Sequence, residues 1–294
     1  LLIILVNSRR ASAVIVDVYS TSNFWYAFCC AWLCRILSVP YVPILHGGDF
    51  PARMKSSPGV VQWLLSNAHR VVVPSEYLER ELASRGYASR LIPNAIPIEA
   101  YPFKFRAVVK PRLLYVRAFS RIYQPQTALY VLKNLLDDYP EARLCMVGGD
   151  KDGTLLDCRK LAEELGIERA VTFTGILTKA AWHQLSTEYS IFVNTTTKDN
   201  MPVSVIEAMA LGLPVVSTNA GGLSYLVHHG KSGMLVDVGD IKGMAQAIRE
   251  LVECQGLASR LAMNARAQIE SLDWVAVKHL WLELLSDSRI VGKP

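Results

Sequence analysis

The sequence predicts an α/β protein of two domains, each a series of strand–helix units on a parallel sheet. Short apolar runs of strand type alternate with stretches of helical period along the whole chain. The stretch from Ser190 to Gly222 condenses the pattern: Ile191-Phe192-Val193 is a strand, and Val203, Ile206, Met209 and Ala210 then recur at helical spacing. Leu213 to Ser217 forms the next strand. A helix inserted between two strands is the connection that parallel pairing requires. The 294 residues suffice for two domains of ordinary size, and an irregular stretch with three prolines, Pro97 to Pro111, reads as the link between them.

Taken in order, Leu1 to Val6 is apolar and is followed by Asn7-Ser8-Arg9-Arg10, the reverse of signal-peptide order. A chain that starts on Leu within an apolar element reads as a fragment cut at its N-terminus. Ala13 to Val18 is a buried strand that runs on to Tyr19-Ser20, with Asp17 near its end. Asn23 to Leu37 is a helix apolar nearly all round, for which core packing is expected ahead of a lipid or partner contact. Tyr41 to Leu45 is a strand that delivers His46-Gly47-Gly48-Asp49. Val60 to Ala68 reads as a helix, Arg70 to Val73 as a strand, and Ser75 to Glu79 as a capped helix start. Arg90 to Ala95 is a strand and turn. Ser75 and Asn94 are expected to be structural, through capping and turn formation.

The second series begins at Arg112. Leu113 to Val116 is a strand with Arg117 at its end, and a helix follows from Pro125 to Leu136. Arg143 to Val147 leads to Gly148-Gly149-Asp150, then come a helix from Leu155 to Leu165, the strand Val171 to Phe173 and the turn Thr174-Gly175-Ile176-Leu177. Lys179 to Thr187 is helical. In the Ser190 stretch, Pro202 suits a first helical position, where its missing N–H costs nothing. A short helix from Gly221, a strand at Gly233 to Val236 and amphipathic helices at Ile241 to Val252 and Leu257 to Ile269 complete the series. The terminal helix, Asp273 to Leu285, carries Trp274, Val277, Leu280, Trp281 and Leu284 on one face. The expected boundaries are 1–108 and 109–272, with 273–294 as a final helix.

Composition removes several function classes. Hydrophobic residues are 51% and charged ones 19%, which describes a globular chain. A net charge of +5, without interleaved aromatic and basic residues, does not describe a nucleic-acid binder; it leaves room for contact with an anionic membrane surface. No apolar run approaches the roughly 18 residues that cross a bilayer. The six cysteines form no C-x-x-C pair and read as buried free thiols in a reducing cytoplasm.

Three places carry chemistry. Asp199 precedes a helix and Glu207 lies in its second turn, with seven residues between. Glu207 sits among Ile206, Ala208 and Met209, where a carboxylate needs a polar partner. The plain alternative is a capping Asp and a structural Glu. His46 stands at the carboxyl end of a strand, where open α/β sheets bind ligands, and the two glycines after it permit close backbone approach. The plain alternative there is a histidine finishing a turn. Arg117 ends four apolar residues; it is a candidate for an anionic ligand against a surface ion pair.

The D-x7-E pair from Asp199 to Glu207, continued as EAMALGLPVVSTNAGG, resembles the acidic motif of family-4 retaining glycosyltransferases of GT-B fold. That family more often has Glu at the first position. The resemblance covers most of the chain and is strongest from Leu113 to Val236. It implies two Rossmann-like domains with parallel sheets facing an interdomain cleft, the first on the acceptor side and the second holding a nucleotide-diphosphate sugar. The family's first strand and its glycine-rich loop would precede Leu1, and its last helix crosses back to the first domain.

Carried over residue by residue, the resemblance places Asp199 at the donor sugar hydroxyls and Glu207 on the ribose. The backbone of Asn200, Met201, Pro202 and Val203 would face sugar and diphosphate. Leu-His-Gly-Gly resembles the first-domain loop that faces the donor sugar, so His46, Gly47 and Gly48 join the candidates. Arg117 fills the arginine of the family's basic pair. The lysine, usually near a Lys-Gly before the helix, is replaced by Gln124-Pro125, with Arg121 as the compensating candidate. Gly148, Ile176 and Leu177 belong to turns on the nucleotide side.

The implied reaction moves a sugar from the nucleotide donor to an acceptor hydroxyl with retention, without metal or other cofactor. The acceptor would be a carbohydrate or a lipid-linked molecule in bacterial polysaccharide or glycolipid assembly, in the cytoplasm and peripheral to the inner membrane face. The alternatives are a nucleotide-sugar epimerase of the same fold and a non-catalytic donor-binding protein or inactive fragment.

Overall fold

The structure is a computed structural model that describes residues 1–7 and 10–286. Its contacts divide the chain into two units. The first is Leu1–Ala95 with Asp199–Met201 and the described part of Leu272–Pro294; the second is Ile96–Lys198 with Pro202–Ser271. The break at Ala95 comes ahead of the expected boundary at 108. The reason lies in the irregular segment after it. Lys104 N–H donates to Leu211 O (3.2 Å), and the Arg106 guanidinium donates to the carbonyls of Tyr189 (2.9 Å), Leu211 (3.0 Å) and Ser186 (3.0 Å). These bonds fasten the segment to the second unit. Burial pulls the Arg106 guanidinium down to about 10, and the carbonyls around it meet its donors.

In the first unit come α1 (Leu2–Asn7), β1 (Val14–Val18), α2 (Phe24–Ile36), β2 (Tyr41–Leu45), α3 (Phe50–Ser56), α4 (Pro58–Ser66), β3 (Val72–Val73), α5 (Glu76–Ala83) and β4 (Arg90–Leu91). The strands form a parallel sheet in the order β1-β2-β3-β4. The apolar opening residues are therefore a helix, α1. Ser8 and Arg9 of the segment after it lie outside the described residues, as do residues 287–294 of the expected final segment.

The helix α2 corrects the expectation of all-round core packing. Phe24, Ala27, Ala31 and Cys34 are buried, at the spacing of one helix face, while Trp25, Tyr26, Cys29, Trp32 and Ile36 are exposed. One sheet covers one face of a helix. The thiols follow: Cys34, Cys145 and Cys158 are buried, whereas Cys29 and Cys254 are exposed. Burial, with Cys30 beside it, pushes the Cys34 thiol up to about 11.

The second unit runs β5 (Arg112–Val116), α6 (Pro125–Leu136), β6 (Arg143–Val147), α7 (Thr154–Glu164), β7 (Val171–Gly175), α8 (Lys179–Leu185) and β8 (Ile191–Asn194). It continues with α9 (Val203–Ala210), β9 (Val215–Thr218), α10 (Leu223–Leu226), β10 (Met234–Val236), α11 (Ile241–Glu253) and α12 (Gln255–Ile269). All its strands pair in parallel, in the order β10-β9-β8-β5-β6-β7. Leu113, Leu144, Ile191 and Val216 are fully or almost fully buried and join one core with Leu132, Ile248 and Leu261. Strands covered on both faces read as near-continuous apolar runs, which is why they were legible.

The last helix, α13 (Trp274–Leu285), belongs to the first unit. Val277 and Leu284 form a buried cluster with Val42, Val72 and Ile92, and Leu280 and Trp281 pack on it. Trp274, expected on the same stripe, is exposed.

Candidate active site

In the second unit the strand order turns at β5. From β5 the chain builds outward through β6 and β7, then returns to place β8 on the other side of β5. Such a switch point opens a crevice at the carboxyl ends of the two strands, where ligands bind. Arg117 follows β5 directly, and Thr195 to Lys198 follow β8. The two loops are stitched together: Thr195 Oγ1 donates to the carbonyls of Tyr123 (2.7 Å) and Gln124 (2.9 Å), and Thr197 N–H donates to Ile122 O (2.9 Å). Gln124 occupies the left-handed region at φ 41°, ahead of α6. That conformation costs a non-glycine residue roughly 1–3 kcal/mol, and the bond from Thr195 to its carbonyl helps to hold it.

The Arg117 guanidinium lies 4.1 Å over the Tyr123 ring, a cation–π contact that orients it. A Cβ on Gly148 would collide with Arg117 O, so glycine lets the end of β6 close against that of β5. Gly148 N–H in turn donates to Gly175 O (2.9 Å), which fixes the turn bearing Ile176 and Leu177. Ile176 is 82% exposed and its side chain lies against Gly149. Arg121 is held through its backbone: its N–H and the Ser120 hydroxyl both donate to Asp152 Oδ2 (3.1 and 2.9 Å). Hydrogen bonds from Thr154, then from Arg121 and Ser120, draw the Asp152 carboxyl down to about 2.

Pro202 is the N-cap of α9 and not its first helical residue. Its carbonyl accepts from Val205 and Ile206 (3.1 and 3.2 Å), and the N–H groups of Val203 and Ser204 have no intrahelical acceptor. They form a helix N-terminus suited to an anion. On the same helix Glu207 is 4% exposed and meets two polar partners. Tyr101 OH donates to its Oε1 at 2.8 Å, and Lys179 Nζ lies 2.9 Å from the same oxygen. The two are unequal. The Lys179 side chain is 68% exposed, and such an ion pair is worth about 0–1 kcal/mol. A hydrogen bond from a buried hydroxyl to a carboxylate is worth roughly 1.5–3 kcal/mol. Burial, and then the bond to Glu207, hold the Tyr101 hydroxyl far above the usual phenol range.

In the first unit, parallel register sets Asp17 opposite Ile44 and Val18 opposite Leu45, so Asp17 comes beside the residue after β2. His46 Nε2 lies 2.9 Å from Asp17 Oδ1, and its ring stacks on Tyr19 at 5.4 Å. A carboxylate only accepts, so Nε2 carries the proton and Nδ1 keeps the lone pair in the neutral ring. A Cβ on Gly47 would meet Ser20 at 2.6 Å, and one on Gly48 would meet the Asp199 backbone at 2.5 Å. The histidine loop and Asp199 thus lie within a glycine's width of each other. Asn200, 1% exposed, donates to Leu45 O (3.2 Å) and accepts from the Ser75 hydroxyl. Asn94 donates to Met201 O (2.8 Å). Asp199 turns its own carboxylate to the Asn200 N–H (2.9 Å).

His46, Gly47, Gly48, Asp199, Asn200 and Met201 therefore come together in one unit. Arg117, Arg121, Gly148, Ile176, Leu177, Pro202, Val203 and Glu207 come in the other. Sequence reasoning missed Asp17 and Tyr19 as partners of His46, and Tyr101 and Lys179 as partners of Glu207. For Asp17 a signal existed, an acid near the end of the strand before the histidine strand. Tyr101 had none, because the linker has no period. Ser75 does cap α5, through Leu78 N–H at 3.3 Å, but it and Asn94 also hold the 199–201 segment. Among the described residues no group of three His, Cys, Asp or Glu side chains could hold a metal ion.

The profile of glycosyl transferases group 1 matches residues 98–268, and that of Glycosyltransferase Family 4 matches residues 4–100. The chain belongs to the glycosyl transferases group 1 family. This group 1 chain is 26% identical over 270 residues to sulfoquinovosyl transferase SQD2 of Arabidopsis thaliana, covering 83% of itself and 51% of that protein. To the D-inositol 3-phosphate glycosyltransferase of Corynebacterium jeikeium it is 27% identical over 288 residues, covering 87% of itself and 68% of the relative. The chain thus spans about half the length of the Arabidopsis relative. Among solved structures, Anabaena Alr3699/HepE in complex with UDP aligns at a TM-score of 0.78 with 21% identity, over 97% of this chain and 80% of that one. Sucrose-phosphate synthase of Thermosynechococcus elongatus aligns at 0.79 with 22% identity, over 94% and 74%. These likenesses give the group 1 chain its fold, GT-B.

Proposed function

We propose that the protein is a retaining glycosyltransferase that moves a sugar from a nucleotide-diphosphate donor to an acceptor hydroxyl. The observation that carries the reading is the β5/β8 switch point. There one cation, one open helix N-terminus and one buried carboxylate supply the complement of diphosphate and ribose. Glu207 accepts from the ribose hydroxyls, Ile176 and Leu177 border the base, and the N–H groups of Val203 and Ser204 face the diphosphate. Arg117, with Arg121 in support, meets the charge that grows on the leaving phosphate as the sugar C1–O bond breaks. Fixed donors of this kind act strongly in a water-poor site. Asp199 orients the sugar hydroxyls, and His46 with the Gly47-Gly48 backbone touches the sugar at its reacting end. The acceptor oxygen bonds to C1 and its proton passes to the departing phosphate.

The UDP held by the Anabaena structure makes UDP-sugars the first donors to try. The D-N-M-P-V-S form of residues 199–204 resembles members of bacterial envelope pathways, so we assign the acceptor to polysaccharide or glycolipid assembly. No helix among the described residues is long and apolar enough to cross a membrane. The proposed setting is the cytoplasm, with peripheral contact at the inner membrane face.

The test incubates the protein with labelled UDP-, GDP- and ADP-sugars, with and without a bacterial membrane extract. Label transfer that needs the extract is expected. Product formed from donor alone would make the protein an epimerase, and binding without product would make it a donor-binding protein. In parallel, Glu207→Ala should weaken binding of the nucleoside diphosphate in calorimetry by the roughly 1.5–3 kcal/mol of a charged hydrogen bond. Unchanged affinity in a folded variant would return Glu207 to a structural role.

A further inference from the structure

We infer that Tyr101, in the segment before the second sheet, is a positioning residue that sets the Glu207 carboxylate for a ribose diol. The inference rests on the reading of Glu207 given above and adds how its carboxylate is aimed. Tyr101 is 2% exposed and its hydroxyl donates to Oε1 of Glu207 at 2.8 Å. Lys179 reaches the same oxygen. Both partners fall on Oε1, which leaves Oε2 to accept from a ligand. A carboxylate with one oxygen engaged by a buried donor no longer rotates freely, and orienting it costs nothing when the ligand arrives.

Tyr101 is itself fixed at both ends. Arg266 Nη1 donates to Tyr101 O and to Ala210 O, both at 2.8 Å, so one guanidinium joins the Tyr101 backbone to the last residue of α9. The ring packs against His183 at 4.7 Å between centroids. Glu207 lies on α9 three residues, about one helical turn, before Ala210. The phenol is thus held in register with the carboxylate it orients. Mere satisfaction of a buried acid would need the hydroxyl but would give no preference among ligands.

That difference is the test. Affinities of wild type and Tyr101→Phe are measured by calorimetry for UDP, GDP and ADP and for the 2′,3′-dideoxy counterpart of the tightest. Wild type is expected to prefer the diol ligand. Tyr101→Phe is expected to bind it about tenfold more weakly, with little change for the dideoxy ligand, because the lost bond acts only through the diol. In a Glu207→Gln background the same substitution should add no further loss. Thermal melting confirms that each variant is folded, and the double variant reports independently if Tyr101→Phe alone is unstable. Equal losses for both ligands, or a full additional loss in the Glu207→Gln background, overturns the inference and leaves the ribose reading intact. A wild type that binds none of the nucleotides, or does not discriminate the diol, overturns the ribose reading and the inference with it.

Discussion

His46 illustrates how one side chain gains chemical character from a neighbour distant in sequence. Its Nε2–H is committed to Asp17 and its ring to Tyr19, so the orientation of Nδ1 is set before any substrate arrives. His46→Ala should lower kcat with the nucleotide sugar about a hundredfold or more, the scale of a positioned group at a reacting centre. UDP affinity should stay near wild type, since the nucleotide contacts are assigned to other residues. Asp17→Asn keeps the shape but lets the amide donate where the carboxylate accepted; about a tenfold loss in kcat is expected. Steady-state kinetics with calorimetry decides both. Normal turnover in folded His46→Ala would remove it from the reaction.

At the scale of elements, α8 carries a titration that the sequence did not advertise. Its His183 is pressed against Tyr101 and Trp182, and burial lowers its pKa below the ordinary 6.5; Glu207 opposes the shift and Lys179 adds to it. The unfolded chain therefore takes up the proton first. The stability that His183 contributes is complete above about pH 6.5 and is lost as the pH falls below it. The melting temperature of the protein should drop between pH 7.5 and 5.5, and His183→Gln should flatten that dependence. An identical slope in the variant would assign the acid sensitivity elsewhere.

For the whole molecule, the decisive feature is that α13, far along the chain, belongs with the first unit. Val277 and Leu284 of α13 are buried against Val42, Val72 and Ile92. The exposed Arg90–Glu283 pair at 2.5 Å adds at most about 1 kcal/mol. Packing, not charge, holds this helix. Leu284→Ala should destabilise the first unit by about 2–5 kcal/mol, as loss of buried aliphatic volume does. Hydrogen exchange resolved by peptide is the measurement: β2 and β3 should lose protection while β5 and β6 keep theirs. Equal loss in both sheets would contradict the packing of α13 on the first sheet alone.

The sequence by itself determined the strands and, α1 and α3 apart, the helices that connect them, because buried parallel strands are apolar at nearly every position and their helices apolar on one face. The order of the strands came from the structure. As candidates the sequence offered Arg117 and Glu207, polar side chains beside apolar neighbours, and, through the resemblance of D-x7-E and Leu-His-Gly-Gly to family motifs, Asp199 and His46. The structure assigned what depends on distance in space. Register brought Asp17 to His46, and the Gly48 approach brought the histidine loop to Asp199. A linker with no period delivered Tyr101 to Glu207. The exposed stripe of α2 was hidden for the same reason: apolar spacing tells how much of a helix could be buried, and only the packing around it decides which face is.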